Sequence, residues 1–234
     1  MQTLPATLNQ LKNHRFCVLF IIIVALFFAG SLGNRWASDN WLEFIRTSVL
    51  YLLLFISVMS VAGTTLERRL LIASIVLLVL CQLLLIDVGG KTIQVANNAL
   101  VLCFLLSCSA VVLRYLISAT TVNSDTLFAA LCGYAILIIV FASTYVLLDA
   151  IHPASFYIAD GIKTGAVAGG TIATSSRAIY FSVVTITTLG YGDISPTHET
   201  ARLFASFEAF VGQVYLAVLI ARLVGLQLLN GNKA

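Results

Sequence analysis

Residues 185–193 read Thr-Ile-Thr-Thr-Leu-Gly-Tyr-Gly-Asp, a run of hydroxyl residues and glycines between two strongly apolar segments. The run has no cysteine or histidine cluster and no paired carboxylates, so its distinctive chemistry is that of its backbone carbonyls. Gly190 and Gly192 can adopt positive φ without the steric penalty of a Cβ atom. A backbone that alternates between left- and right-handed conformations turns successive carbonyls to the same side. Several such rows, with the Thr188 hydroxyl, can replace the water around a small cation.

Residues 188–192, Thr-Leu-Gly-Tyr-Gly, resemble the selectivity filter of potassium channels, whose TVGYG pattern has Val in place of Leu189. Residues 178–185 are similar to the pore helix of that family, with aromatic side chains where tryptophans are common. Asp193 follows the second glycine, as is usual in the family. The resemblance extends over about residues 127–229.

The resemblance implies how the filter binds its ion and how many chains build it. Each chain supplies one row of oxygens, and a ring of rows around an axis implies a homotetramer with cyclic symmetry. Asp193 is then expected at the outer mouth. The expected K+ ligands are the backbone carbonyls of Thr188, Leu189, Gly190 and Tyr191 and the hydroxyl of Thr188, while Gly192 completes the filter.

Composition places the chain in a lipid bilayer. Hydrophobic residues make up 60% of its 234 residues and charged residues only 10%, whereas a soluble domain carries about 25% charged residues. The net charge of +3 comes without a basic run that would suit nucleic acid. Three scattered histidines and five cysteines in apolar segments form no catalytic or metal-site pattern. We therefore expect an all-α membrane protein that is not an enzyme and has no cofactor other than K+ as the permeant ion.

Six apolar segments are long enough for helices that cross the hydrocarbon, which takes about 20 residues. Between the fifth and sixth, residues 177–196 have room for a re-entrant pore helix at 178–187 and an extended return that carries the filter. Residues 149–176 contain four glycines and are too polar to span. The predicted spans are residues 16–33, 42–63, 70–88, 96–117, 126–148 and 200–229.

The pattern divides the chain into a short cytoplasmic segment, 1–15, a four-helix unit, 16–118, and a pore domain, 126–230. The four-helix unit resembles a voltage sensor in layout, but residues 96–117 contain a single arginine, Arg114. Each gating charge contributes about 2.3 kcal/mol per 100 mV. One charge is too few for steep voltage gating, so we expect a packing or regulatory collar.

The predicted location is the plasma membrane, with both termini in the cytoplasm. Counting basic residues on the two sides of the six spans hardly distinguishes the orientations, whereas the resemblance implies that the filter opens outward. A cleaved signal peptide is an alternative reading of the first span, although that span is long for one.

The inner helix, residues 200–229, carries the predicted gate. Gly212 stands where the family often has a hinge glycine, and close packing against Phe204, Phe207 or Phe210 is the alternative reason for a glycine. Glu208 is an intramembrane carboxylate and thus a functional candidate, although we expect a structural role in which it accepts hydrogen bonds from the pore helix, such as from Thr185 or Thr187. One face of the helix is predicted to line the water-filled cavity: Gln213, Leu216, Ile220 and Val224.

The sequence therefore predicts a potassium-selective channel that conducts passively and is not steeply voltage-gated. Two alternatives stay open. Leu189 in place of Val changes the packing behind the filter, which leaves a weakly selective cation channel possible. A non-conducting scaffold or regulatory subunit of a channel assembly is the third reading.

Overall fold

A computed structural model describes residues 15–32, 40–59, 61–87, 91–120, 123–152, 155–158 and 172–231. Of the predicted N-terminal segment 1–15, only Arg15 falls within these ranges. The elements are almost all helical, in keeping with the predicted class. In chain order they are α1 (Arg15–Leu32), α2 (Asn40–Met59), α3 (Thr65–Asp87), α4 (Lys91–Ser118), α5 (Ser124–Ile151), β1 (Phe156–Ile158), α6 (Ile172–Ile186), β2 (Ile194–Pro196) and α7 (Glu199–Gly231).

Helices α1 to α4 share a hydrophobic core with α5. Phe16 of α1 is fully buried and its ring meets that of Tyr115 of α4 at 4.5 Å. The thiol of Cys132 on α5 donates to the carbonyl of Phe16 at 3.4 Å. The four-helix unit, residues 16–118, therefore packs directly on α5.

The beginning of α3 is joined to the end of α4 by a polar cluster. Thr64 and Glu67 form a capping box, in which the backbone N–H of Thr64 donates to the Glu67 carboxylate at 3.0 Å and the backbone N–H of Glu67 donates to the Thr64 hydroxyl at 3.3 Å. Arg114 forms an ion pair with the same carboxylate. The hydrogen bond from the Thr64 N–H, assisted by Arg114, lowers the pKa of Glu67.

Helix α5 begins with a capping box at Asn123, whose side chain accepts from the backbone N–H of Thr126 at 2.9 Å. In the other direction the Asn123 N–H donates to the Thr126 hydroxyl at 2.9 Å. Asp125 lies in the first turn, where its negative charge suits the positive end of the helix.

Within residues 149–176, predicted to be too polar to span, the described residues contain regular elements: α5 continues to Ile151, and β1 pairs antiparallel with β2. Helix α6 starts at Ile172, whereas the predicted pore helix began at residue 178. The β1–β2 pair thus holds together the segments that flank α6 and the predicted filter.

Three helices in the described ranges are long and apolar enough to cross a membrane: Thr92–Ser118 within α4, Ser124–Ile151, which is α5, and Glu199–Leu226 within α7. They correspond to the fourth, fifth and sixth predicted spans. The first three predicted spans fall on α1, α2 and α3, which are helical. That these three also cross the membrane stays a prediction.

Candidate functional site

The predicted filter, residues 188–192, begins as the cap of helix α6. The backbone N–H of Thr188 donates to the carbonyl of Thr185 at 3.0 Å, and that of Leu189 to the carbonyl of Val184 at 2.9 Å. With Thr188 at φ +57°, these two bonds form a Schellman motif, the usual ending of a helix, with Thr188 at the left-handed position. Glycine normally occupies that position, because a β-branched residue is strained there. Keeping threonine costs stability but places a hydroxyl at the first filter position.

The backbone of the filter then alternates. Positive φ recurs at Gly190 (+62°) and Gly192 (+78°), two and four residues after Thr188. These three are the positive-φ residues of the described chain, and they mark every second position of residues 188–192. The positive φ predicted for the two glycines is confirmed, whereas that of Thr188 was not predicted.

The side chains of the filter are open to solvent in the single subunit. Leu189 is 53% exposed and Tyr191 66% exposed. Asp193 is also exposed, and the hydroxyl of Tyr180 on α6 donates to its carboxylate at 2.7 Å. This bond ties the C-terminal end of the predicted filter to α6, the helix that precedes it.

At Gly212, helix α7 comes close to the end of α6, just before the predicted filter. A Cβ atom at Gly212 would lie 2.5 Å from Cγ1 and 2.7 Å from the carbonyl oxygen of Ile186, the last residue of α6. The hydroxyl of Tyr134 on α5 approaches the same carbonyl oxygen at 3.4 Å. Close packing is therefore one reason for glycine here, although the partner is Ile186 and not the phenylalanines named from the sequence. The hinge stays a prediction, since the helix runs unbroken through Gly212.

Other residues of α7 face in several directions. Of the predicted cavity face, Gln213, Ile220 and Val224 are exposed and Leu216 is half-buried. Glu208, in contrast, is fully buried. Its hydrogen-bond partners are the hydroxyls of Tyr145 and Ser182. A donor on α6, the predicted pore helix, is thus found, but it is Ser182 and not Thr185 or Thr187. The Thr187 hydroxyl, directly after α6, donates instead to the carbonyl of Val183 on that helix.

From Tyr215 onward, α7 is hydrogen-bonded to α5 and to the end of α4. The hydroxyl of Tyr215 donates to the carbonyl of Ala130 on α5 at 2.7 Å. Arg222 donates to the carbonyls of Ile117 and Ala119, at the end of α4, at 2.6 and 2.8 Å. The predicted gate region is thus connected both to α5 and to the four-helix unit. Arg222 was assigned no such role from the sequence.

The sequence was compared with protein families and with known proteins. Residues 133–226 match a family model described as "Ion channel". The chain is 32% identical over 85 residues to two-pore potassium channel 1 of Arabidopsis thaliana and 42% identical over 45 residues to two pore potassium channel a of Oryza sativa subsp. japonica. It is 50% identical over 46 residues to potassium channel subfamily K member 17 of Homo sapiens. The resemblance to the potassium channel pore family is confirmed.

The matches to this pore family cover part of each chain. They include 36%, 19% and 20% of this chain and 22%, 13% and 14% of the respective relatives. No solved structure gives a significant match. In the described residues, no group of three or more His, Cys, Asp or Glu side chains is placed to hold a metal ion.

Proposed function

We propose that four copies of this chain form a potassium-selective channel through which K+ passes along its gradient. The observation that carries the proposal is the alternation of positive φ along residues 188–192. This alternation lets the carbonyls of one row face a common axis, where they can replace the hydration shell of K+. The sequence contains one such row per chain, and a potassium filter is built from four.

Exposed apolar surface on α7 supports the assembly of identical chains. Several large side chains along this helix are more than half exposed in the single subunit, including Leu203 at 69%, Phe210 at 63% and Val218 at 61%. Lipid can cover part of this surface, but the exposed filter needs protein around it, because irregular backbone at membrane depth survives only when protein or a water-filled cavity surrounds it. Neighbouring subunits around the axis would provide that cover.

The proposed topology has six spans, with both termini in the cytoplasm of a plasma-membrane channel and the filter opening outward. Gln213, Leu216, Ile220 and Val224 would line the inner cavity, and Gly212 would allow the gate to bend. Opening would not depend steeply on voltage. The single arginine of residues 96–117, Arg114, lies near the end of α4 and is ion-paired with Glu67. It therefore offers little charge that could move with the membrane potential.

Potassium flux from liposomes that contain the purified protein tests the proposal. We expect flux from the wild type, with reversal potentials that follow the potassium gradient. Gly190→Ala should abolish it, because alanine is strained at φ +62°. Gly63→Ala is the matched control, since an added Cβ there meets no atom within 4 Å and the residue lies outside the pore region.

Three results would redirect the proposal. Vesicles that stay tight to potassium would contradict it and favour a regulatory or scaffold subunit. Equal permeability to sodium and potassium would favour a weakly selective cation channel. Flux that survives Gly190→Ala would show that ions pass elsewhere.

A further inference from the structure

Glu208 lies where α5, α6 and α7 meet. Its side chain is fully buried, with Tyr145 of α5 on one carboxyl oxygen and Ser182 of α6 on the other. Tyr145 is itself fixed by edge-on contacts with the rings of Phe156 and Phe181, at 5.5 and 5.0 Å. Ser182 stands in the C-terminal half of α6, six residues before the filter. The carboxyl group of Glu208 therefore links the inner helix to the pore helix.

The hydrogens available in this cluster decide its charge. A hydroxyl donates one hydrogen, yet the Oγ atom of Ser182 lies within bonding distance of both the Glu208 carboxyl and the carbonyl oxygen of Ile138, the latter at 2.8 Å. With an ionised carboxylate, one of these two contacts would bring two oxygens together without a hydrogen. A hydrogen on Glu208 completes the set, because Glu208 then donates to Ser182 and Ser182 to Ile138. Tyr145 supplies the remaining hydrogen, to the second carboxyl oxygen at 2.5 Å.

The surroundings offer no compensating charge. Among the described residues, Arg114 and Glu67 form the ion pair whose charged atoms lie within 4 Å of each other. No arginine or lysine of these residues is paired with Glu208. A buried carboxylate without a cation is strongly disfavoured and takes up a proton instead. The hydrogen count and the lack of a cation point to the same neutral form.

We propose that Glu208 is a protonated positioning residue, whose carboxylic acid holds the pore helix at Ser182 and thereby sets the ion selectivity of the filter. The positioning role rests on the proposed channel function, whereas the protonated state does not. The link is direct, since Ser182 and the filter belong to the same short segment. A shift of α6 would move the Schellman motif at Thr188 and, with it, the first carbonyls of the row.

Three variants in reconstituted vesicles test the proposal through the ratio of potassium to sodium permeability. Glu208→Gln is expected to keep the wild-type ratio within about twofold, because an amide also donates with one end and accepts with the other. Glu208→Ala and Ser182→Ala are expected to lower the ratio by about tenfold, since each leaves buried polar groups unpaired. If Glu208→Ala does not assemble, the comparison of Glu208→Gln with Ser182→Ala still decides.

The proton itself is read by infrared spectroscopy. At neutral pH the wild type should show the C=O stretching band of a protonated carboxylic acid, and the difference spectrum against Glu208→Gln should assign that band to Glu208. A missing band, loss of selectivity in Glu208→Gln, or unchanged selectivity in both alanine variants would overturn the proposal. If the wild type does not conduct, the channel function fails, and the infrared difference still decides whether Glu208 carries the proton.

Discussion

Replacing Gly212 by alanine separates a packing role from a hinge role for this residue. Carbon atoms in contact normally lie about 3.5–4.0 Å apart, whereas the new Cβ would lie 2.5 and 2.7 Å from atoms of Ile186. One of these atoms is a backbone oxygen, which cannot rotate away as a flexible side chain can. Helix α7 must therefore move away from the base of the filter by up to about 1 Å.

The expected cost follows from comparison with a second glycine of the same helix. Overpacking of this kind destabilises a protein by about 1–3 kcal/mol, while alanine gains up to about 1 kcal/mol over glycine in a helix interior. Gly225→Ala should show the gain alone, because a Cβ there meets no atom within 4 Å. The two variants should thus differ by about 1–3 kcal/mol per subunit.

Thermal unfolding of the purified variants, monitored by size-exclusion chromatography, measures the difference in stability. Reversal potentials in vesicles measure the selectivity for potassium. Close packing predicts that Gly212→Ala unfolds at lower temperature than Gly225→Ala and prefers potassium less, because the base of the filter moves. A hinge predicts fewer open channels, with the same gain in stability as Gly225→Ala and unchanged selectivity. Equal unfolding temperatures for the two variants would refute the packing argument.

Three further outcomes are expected. Thr188→Gly should raise stability by about 1 kcal/mol, because it relieves the strain of a left-handed threonine. It should also weaken the preference for potassium, because it removes a ligand hydroxyl. Unfolding and flux measurements check the two effects, and a destabilised variant would refute the strain. Arg222→Gln should loosen the end of α4, since charge-assisted bonds to two carbonyls are lost, and faster hydrogen exchange of residues 115–120 would show it. The pKa of Glu67 is lowered on folding, so its contribution to stability is present above the unfolded value of about 4.3 and is lost as pH falls through the folded value. Glu67→Gln should flatten that part of a pH titration of unfolding temperature.

The backbone conformation of the two filter glycines was the most predictable feature, because it depends on local chemistry. Gly190 and Gly192 can adopt positive φ, which other residues rarely adopt, and their spacing of two already indicates alternation. Thr188 was not predictable in the same way. Nothing in its residue type favours positive φ, and the end of helix α6 imposes that conformation.

Contacts between helices were less accessible from the sequence. Glu208 was recognised as a buried acid, but its partner depends on how far α7 slides along α6, which a sequence pattern does not fix. Ser182 and the predicted partner Thr185 lie about one helical turn apart, so a shift of that size changes the bond. Likewise, three-residue strands such as β1 carry too little pattern to be distinguished from a loop.

The Schellman motif at Thr188 also limits how this sequence can change in length. The same residue closes the helix and opens the row of carbonyls, so no spacer between them can absorb an insertion. Adding or deleting one residue in 184–192 would bring Gly190 or Gly192 out of phase with the positions that require positive φ. In the proposed channel, carbonyls of the row would then turn away from the ion. Point replacements in this segment can reduce selectivity by degrees, whereas a change in its length is expected to abolish potassium conduction.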